Sequence, residues 1–146
     1  MIRIRRGDWH PLLPPRVRAW VVGVVPGVPL VWGADYLHGT DTSESLSVVE
    51  KALPIQWWGI ACLLVGALQL VGFVGRWIWV AITGAWASGS LLATLATGEF
   101  VGIVHAPGWD GFRGPALLAL VAYASFGIAI GYAQQAAAMA EAVKGK

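Results

Sequence analysis

Charge disappears from this chain in four stretches. Ala19–Ala34, Ala52–Gly75, Trp77–Gly98 and Gly114–Ala140 run for 16, 24, 22 and 27 residues without Asp, Glu, Lys or Arg. A helix needs roughly 20 mostly apolar residues to cross about 30 Å of hydrocarbon. Three of the stretches meet that length outright. The first meets it if Arg18 extends its stem toward the interface and Asp35 sits at the opposite edge. The pattern predicts an all-α integral membrane protein, a four-transmembrane-helix bundle in a single domain over residues 1–146. The spans fall at about 17–36, 55–74, 77–97 and 115–133, with loops at 37–54 and 98–114 and a tail at 134–146.

Within the first span Pro26 and Pro29 withhold backbone donors, which predicts a kinked helix that relies on its neighbours. In the following polar loop, Ser47-x-x-Glu50 resembles a capping box. Only "GRW" separates the second and third spans, so these two must form a tight antiparallel hairpin. The alanine-rich tail "QQAAAMAEAVKGK" is expected to prolong the last helix beyond the membrane.

Composition agrees with the pattern. The chain is 57% hydrophobic and only 12% charged, with mean hydropathy +0.65, whereas a soluble domain is about a quarter charged. The net charge of +2 and pI near 9 do not indicate nucleic-acid binding, because the basic residues sit at span ends rather than in a patch with aromatic platforms. Their distribution instead sets topology. Arg3, Arg5, Arg6, Arg16, Arg18, Arg76, Lys144 and Lys146 fall on one side, and Lys51 and Arg113 on the other. Lys and Arg are retained on the cytoplasmic side, so both termini and the 75–77 turn are expected there, with both longer loops outside. Aromatic residues stand at the span ends (Trp20, Trp32, Tyr36, Trp57, Trp58, Trp77, Trp79 and Tyr132), where their rings favour headgroup depth. Trp86 lies mid-span and is expected to turn its N–H into the bundle. The first span reads as retained rather than cleaved, since cleavage after Ala34 would need a small residue where Trp32 stands.

Candidate chemistry is sparse. Cys62 is the single cysteine and lies inside the second span, so it reads as a small buried side chain and excludes a disulfide frame. His10, His38 and His105 are scattered; His38 and His105 with Asp41, Glu99 or Asp110 carry no metal-ligand spacing and read as solvated loop groups. No ionisable residue lies deep in a span, where an ion-coupled transporter, proton pump or voltage sensor needs one. The expectation is a protein that is not an enzyme, with no cofactor, no metal and no identified small-molecule substrate.

What remains is the arrangement of small and weakly polar residues. Small residues four apart mark contact faces between membrane helices: Ala19, Gly23 and Gly27 in the first span, Ala81, Ala85, Gly89 and Ala93 in the third, Gly127 and Gly131 in the fourth. These serve packing within the bundle or contact between copies. Thr83, Ala87, Ser90, Thr94 and Thr97 fall within about 80° on the third span at 100° per residue. Cys62, Gly66 and Gln69 share a face of the second. Such a stripe is tolerated polarity within a packed hairpin, or it lines a water-filled lesion once copies assemble. The Gln69 amide must find a partner that lipid does not offer, across helices or in a pore.

Several uncharged spans, a basic N-terminus, a charged tail and a high-GC composition together resemble the multi-span membrane proteins of actinobacterial phages, among them holin-like proteins. The resemblance is one of architecture and carries over no residue. It departs from the usual basic holin tail, since only Lys144 and Lys146 stand here. It implies self-association in the cytoplasmic membrane and permeabilisation that releases or activates a lysin. The bilayer and further copies of the chain are then the partners. Two alternatives belong to other classes: a non-catalytic accessory subunit or scaffold of a larger membrane protein, and a small pore or exporter component.

Overall fold

The computed structural model describes residues 15–38, 47, 49–105 and 111–144, with side-chain surroundings from Val24 to Val143. Among these residues all regular structure is helical: α1 (Pro15–His38), a single 3₁₀ turn (Glu50–Ala52), α2 (Ile55–Val74), α3 (Ile78–His105) and α4 (Arg113–Lys144). Ile55–Val74, Ile78–His105 and Arg113–Val143 are long and apolar enough to cross a membrane. α1 adds 24 helical residues and runs through both Pro26 and Pro29. The second predicted span coincides with α2. α3 continues eight residues past the expected end at Thr97, because no proline interrupts it and Gly98 is held under packed neighbours. α4 absorbs the alanine-rich tail without a break.

The helices alternate in direction. Pairs of residues in contact run oppositely in sequence: Gly33 with Gly59, then Pro26 with Gly66; Gly72 with Ala81, then Gln69 with Gly84. α2 therefore lies between α1 and α3, and α4 packs along the other side of α3. The hairpin between α2 and α3 closes tightly. The Trp77 N–H donates to the Gly72 carbonyl at 2.9 Å and the Arg76 N–H to Phe73 at 3.2 Å, the two crossed bonds of a Schellman cap. The left-handed position of that cap is held by Arg76, with φ 54°, although Gly75 stands beside it. A side chain there costs about 1–2 kcal/mol, and the residue placed there is the one charge of the turn.

In lipid, helices gain little from hydrophobic burial against one another, so contact area between backbones matters more. Glycines on α2 and on the helices either side of it supply it. A Cβ on Gly72 would lie 2.4 Å from the Ala81 nitrogen, and one on Gly84 would lie 2.6 Å from the Gln69 nitrogen. The α2–α3 contact is thus backbone against backbone at two points about one turn apart, Gly72 on Ala81 and Gly84 on Gln69. Toward α1, a Cβ on Gly33 would meet the Gly59 carbonyl at 2.8 Å. At the end of the bundle remote from this hairpin, a core of Val25, Tyr36, Cys62, Leu92, Leu95 and Leu118 draws on all four helices. At the hairpin end Ile78, Ala81, Ile82, Tyr132 and Ala136 form a second cluster, with Phe73 packed on Tyr132.

Gly84→Ala should lower stability by about 2 kcal/mol, since the new methyl must push two backbones apart. Gly127, exposed and with nothing within 4 Å of an added Cβ, is the control: Gly127→Ala should be neutral or stabilising by about 0.5–1 kcal/mol through helix propensity. Unfolding of the purified chain in mixed detergent micelles measures both.

Candidate functional site

The polar residues of the spans separate into an outward row, an interior group and a cluster at the loop end. The outward row is the α3 stripe. Thr83, Ser90, Thr94 and Thr97 are all exposed, on the side of α3 away from α2. The hairpin interior, where the stripe was one expectation, is instead occupied by Ala81, Gly84, Ala85 and Ser88. The Thr94 hydroxyl donates to the Ser90 carbonyl at 2.9 Å and that of Thr97 to Ala93 at 2.8 Å. Each hydroxyl thereby satisfies its donor on its own helix and keeps acceptor capacity on its outer side.

The interior group consists of Gln69, Ser88 and Ser125. All three are buried, and Gln69 Oε1, Ser88 Oγ and Ser125 Oγ have no hydrogen-bond partner among the described residues. They lie at similar depth. Gln69 backs onto Gly84, and Ser88 follows four residues later, about 6 Å along the axis. Ser125 precedes Phe126, whose ring covers Gly89 at 2.8 Å from an added Cβ. Gln69 thus sits at the α2–α3 crossing inside the bundle, on the buried face that also carries Gly59, Cys62, Gly66 and Gly72.

The small residues singled out in the sequence occupy different settings. Ala85 is fully buried between helices, and Gly89 receives the Phe126 ring, so both pack within the chain. Gly27 and Gly127 are open, with nothing within 4 Å, and Gly131 is half-buried. Gly23 lies in the part of α1 described only as helical backbone. Trp86, expected to turn inward, is 44% exposed and packs on Phe126 at 5.2 Å between ring centres. The buried lane it would have entered is too narrow for an indole, being the backbone contact at Gly84 and Ala85.

The loop-end cluster was only partly legible. Ser47 and Glu50 close reciprocally: the Ser47 N–H donates to Glu50 Oε2 at 2.6 Å, and the Glu50 N–H to Ser47 Oγ at 3.3 Å. They frame one 3₁₀ turn rather than a longer helix. Glu50 is buried, accepts from the Tyr36 hydroxyl of α1, and through its carbonyl accepts from Trp58 Nε1 of α2 at 3.2 Å. Val49 and Ser47 rest on Gly98 of α3. The segment therefore latches three helices together. Glu99, the first charge after the apolar run of α3, follows directly on Gly98, on which Val49 and Ser47 rest. Ser-x-x-Glu flanked by Tyr36 and Trp58 was the available signal, but a carboxylate in a polar loop reads as solvated until the helices converge on it. Among the described residues no three His, Cys, Asp or Glu side chains group as a metal set. Asp41 and Asp110 lie outside the described residues.

Gln69→Leu should raise stability by about 1 kcal/mol, since it removes a buried acceptor without a partner and keeps the volume. A loss of similar size, measured by unfolding in micelles, would mean that the amide is bonded in the assembled protein.

No protein-family model matches the chain, and no curated protein and no solved structure matches it.

Proposed function

We propose that the chain is a non-enzymatic, holin-like protein of the cytoplasmic membrane, whose copies associate and permeabilise that membrane. In this reading all four helices span the bilayer and both termini face the cytoplasm. The observation that carries it is the outward hydroxyl row of α3. Thr94 and Thr97 are self-bonded, so a lone copy can hold these two hydroxyls in lipid without orphaned donors. Copies that assemble with α3 facing a common centre would offer the remaining lone pairs to water. The same chain can thus accumulate in the bilayer first and line a hydrated lesion afterwards. The open backbone at Gly127 gives α4 a face for close approach by a neighbouring copy. Gly89 is not available for this, because Phe126 of the same chain covers it.

Topology is tested with single cysteines at two exposed positions, Leu53→Cys before α2 and Val143→Cys near the end of α4, in a Cys62→Ala background. An impermeant thiol reagent applied to intact cells should label the first and spare the second. Equal labelling, or the reverse, excludes four spans with cytoplasmic termini.

Function is tested by induced expression with membrane potential recorded. The wild-type chain should collapse the potential abruptly, and a co-expressed endolysin should then lyse the cells. Gly127→Leu should insert normally yet lose oligomer and collapse. A combined Thr83→Val, Ser90→Ala, Thr94→Val variant changes only exposed side chains, so its stability should stay within about 0.5 kcal/mol while collapse slows about twofold or more. Abundant, inserted wild-type protein that leaves the potential intact would reject the proposal, and co-purification of a larger membrane protein would then assign an accessory role.

A further inference from the structure

On the outer side of the packed loop-end halves of α3 and α4 a groove runs between the two helices. A cavity of about 490 Å³ remains there, opening sideways. Its walls are short because alanines face each other across it: Ala93 and Ala96 on α3, Ala116, Ala119 and Ala122 on α4. Aromatic rings close both ends. Phe100 and Phe112 meet edge to face, 5.8 Å apart, at the loop end, and Phe126 blocks the other end where it sits on Gly89. Thr97 and Tyr123 stand at the lips, and Thr97 has its hydroxyl turned onto its own helix.

We propose that this groove holds one acyl chain of a membrane lipid. Three observations select that occupant. The groove lies on two helices apolar enough to cross a membrane and opens to the side, so hydrocarbon is the medium it meets. Its length fits one leaflet. The groove follows α4 from Pro115 to Phe126, about 16 Å at a rise of about 1.5 Å per residue, against about 15 Å for half of a hydrocarbon core about 30 Å thick. Its lining is alanine, proline and phenylalanine apart from Thr97 and Tyr123, and the Thr97 hydroxyl is already bonded to its own helix, which suits a methylene chain and leaves little for a polar partner to bond. A methylene chain moved from bulk lipid into the groove gains wall contacts on three sides, and the walls lose a void that forfeits dispersion energy.

The site recognises the chain rather than the headgroup. At the loop end Arg113 is exposed, and the Glu99 carboxylate abuts the start of α4, with Oε2 2.7 Å from an added Cβ on Gly114. The two charges are opposite, so no net charge selects an anionic headgroup there. The proposal requires only that α3 and α4 cross the membrane, and it stands or falls independently of permeabilisation.

The test uses the full chain in nanodiscs of phosphatidylcholine carrying a diazirine midway along one acyl chain, with labelled residues mapped by mass spectrometry after irradiation. Label should concentrate on 93–100 and 115–126, about fivefold above the exposed Leu64 and Val71 of α2. Ala119→Phe, at an exposed lip, should fill the groove and reduce that label about fivefold. Ala116→Leu should act in the same direction. Leu120→Phe, exposed and outside the groove, should leave labelling unchanged, and thermal unfolding of each variant confirms its fold. Phosphatidylglycerol with the same labelled chain should give the same map. Even labelling of all outward faces, or labelling unmoved by both filling variants, overturns the proposal. So does label confined to phosphatidylglycerol, which would assign headgroup recognition, or exclusion of label with cross-links between copies at the groove, which would assign a second copy.

Discussion

The bundle depends on how closely the backbone of α2 approaches its neighbours. Gly72 and Gly84 leave no room for a methyl group between α2 and α3, and Gly33 and Gly59 leave none between α1 and α2. In water a helix pair can be held by expelling solvent from large side chains. In hydrocarbon that contribution largely vanishes, and association falls to dispersion and the few polar contacts at hand. Glycine converts a side-chain contact into a backbone contact and so increases the number of atoms at optimal separation. α2 serves α1 with its loop-end glycines and α3 with its hairpin-end ones, which is why it occupies the position between them.

That close contact decides where polarity can go. The lane between α2 and α3 admits Gln69 and Ser88 but gives Gln69 Oε1 and Ser88 Oγ no partner among the described residues. A buried acceptor without a donor costs about 1–3 kcal/mol, so the middle of the bundle is its least satisfied part. The loop end is the reverse. There Glu50 is buried with Tyr36, Ser47 and Trp58 all bonded to it, joining segments from three parts of the chain. A bundle tied at its two ends and unsatisfied at its centre has a reason to rearrange in the middle, a property that suits a protein proposed to assemble into a hydrated opening.

α3 combines these demands in one helix. It offers glycine and alanine to α2, Gly89 to the Phe126 ring of α4, and threonines to the outside. α4 differs because its large residue is inserted rather than received. Phe126 over Gly89 and Phe100 against Phe112 bound the alanine-lined stretch between α3 and α4 at its two ends.

The helices were legible in the sequence because a bilayer imposes a length and a composition that hardly any other setting requires. The charge-free run Ala52–Gly75 contains α2, whose bounds match the expected span of about 55–74, and the "GRW" turn announced the hairpin. Ser47-x-x-Glu50 is a local device, and its reciprocal bonds could be read from spacing alone. Facing was not legible. A face with Thr83, Ser90 and Thr94 and a face with Ala81, Gly84, Ser88 and Leu92 differ little in polarity, so periodicity did not say which one is buried. Only the packed structure decided it, because backbone approach at Gly84 admits no threonine side chain and the hydroxyls must turn outward. Likewise Glu50 is a loop carboxylate by composition and a buried tie by structure, since its partners Tyr36 and Trp58 meet it only after α1 and α2 pack. Sequence determined which segments are apolar helices; tertiary contact alone determined which side of each helix is left exposed.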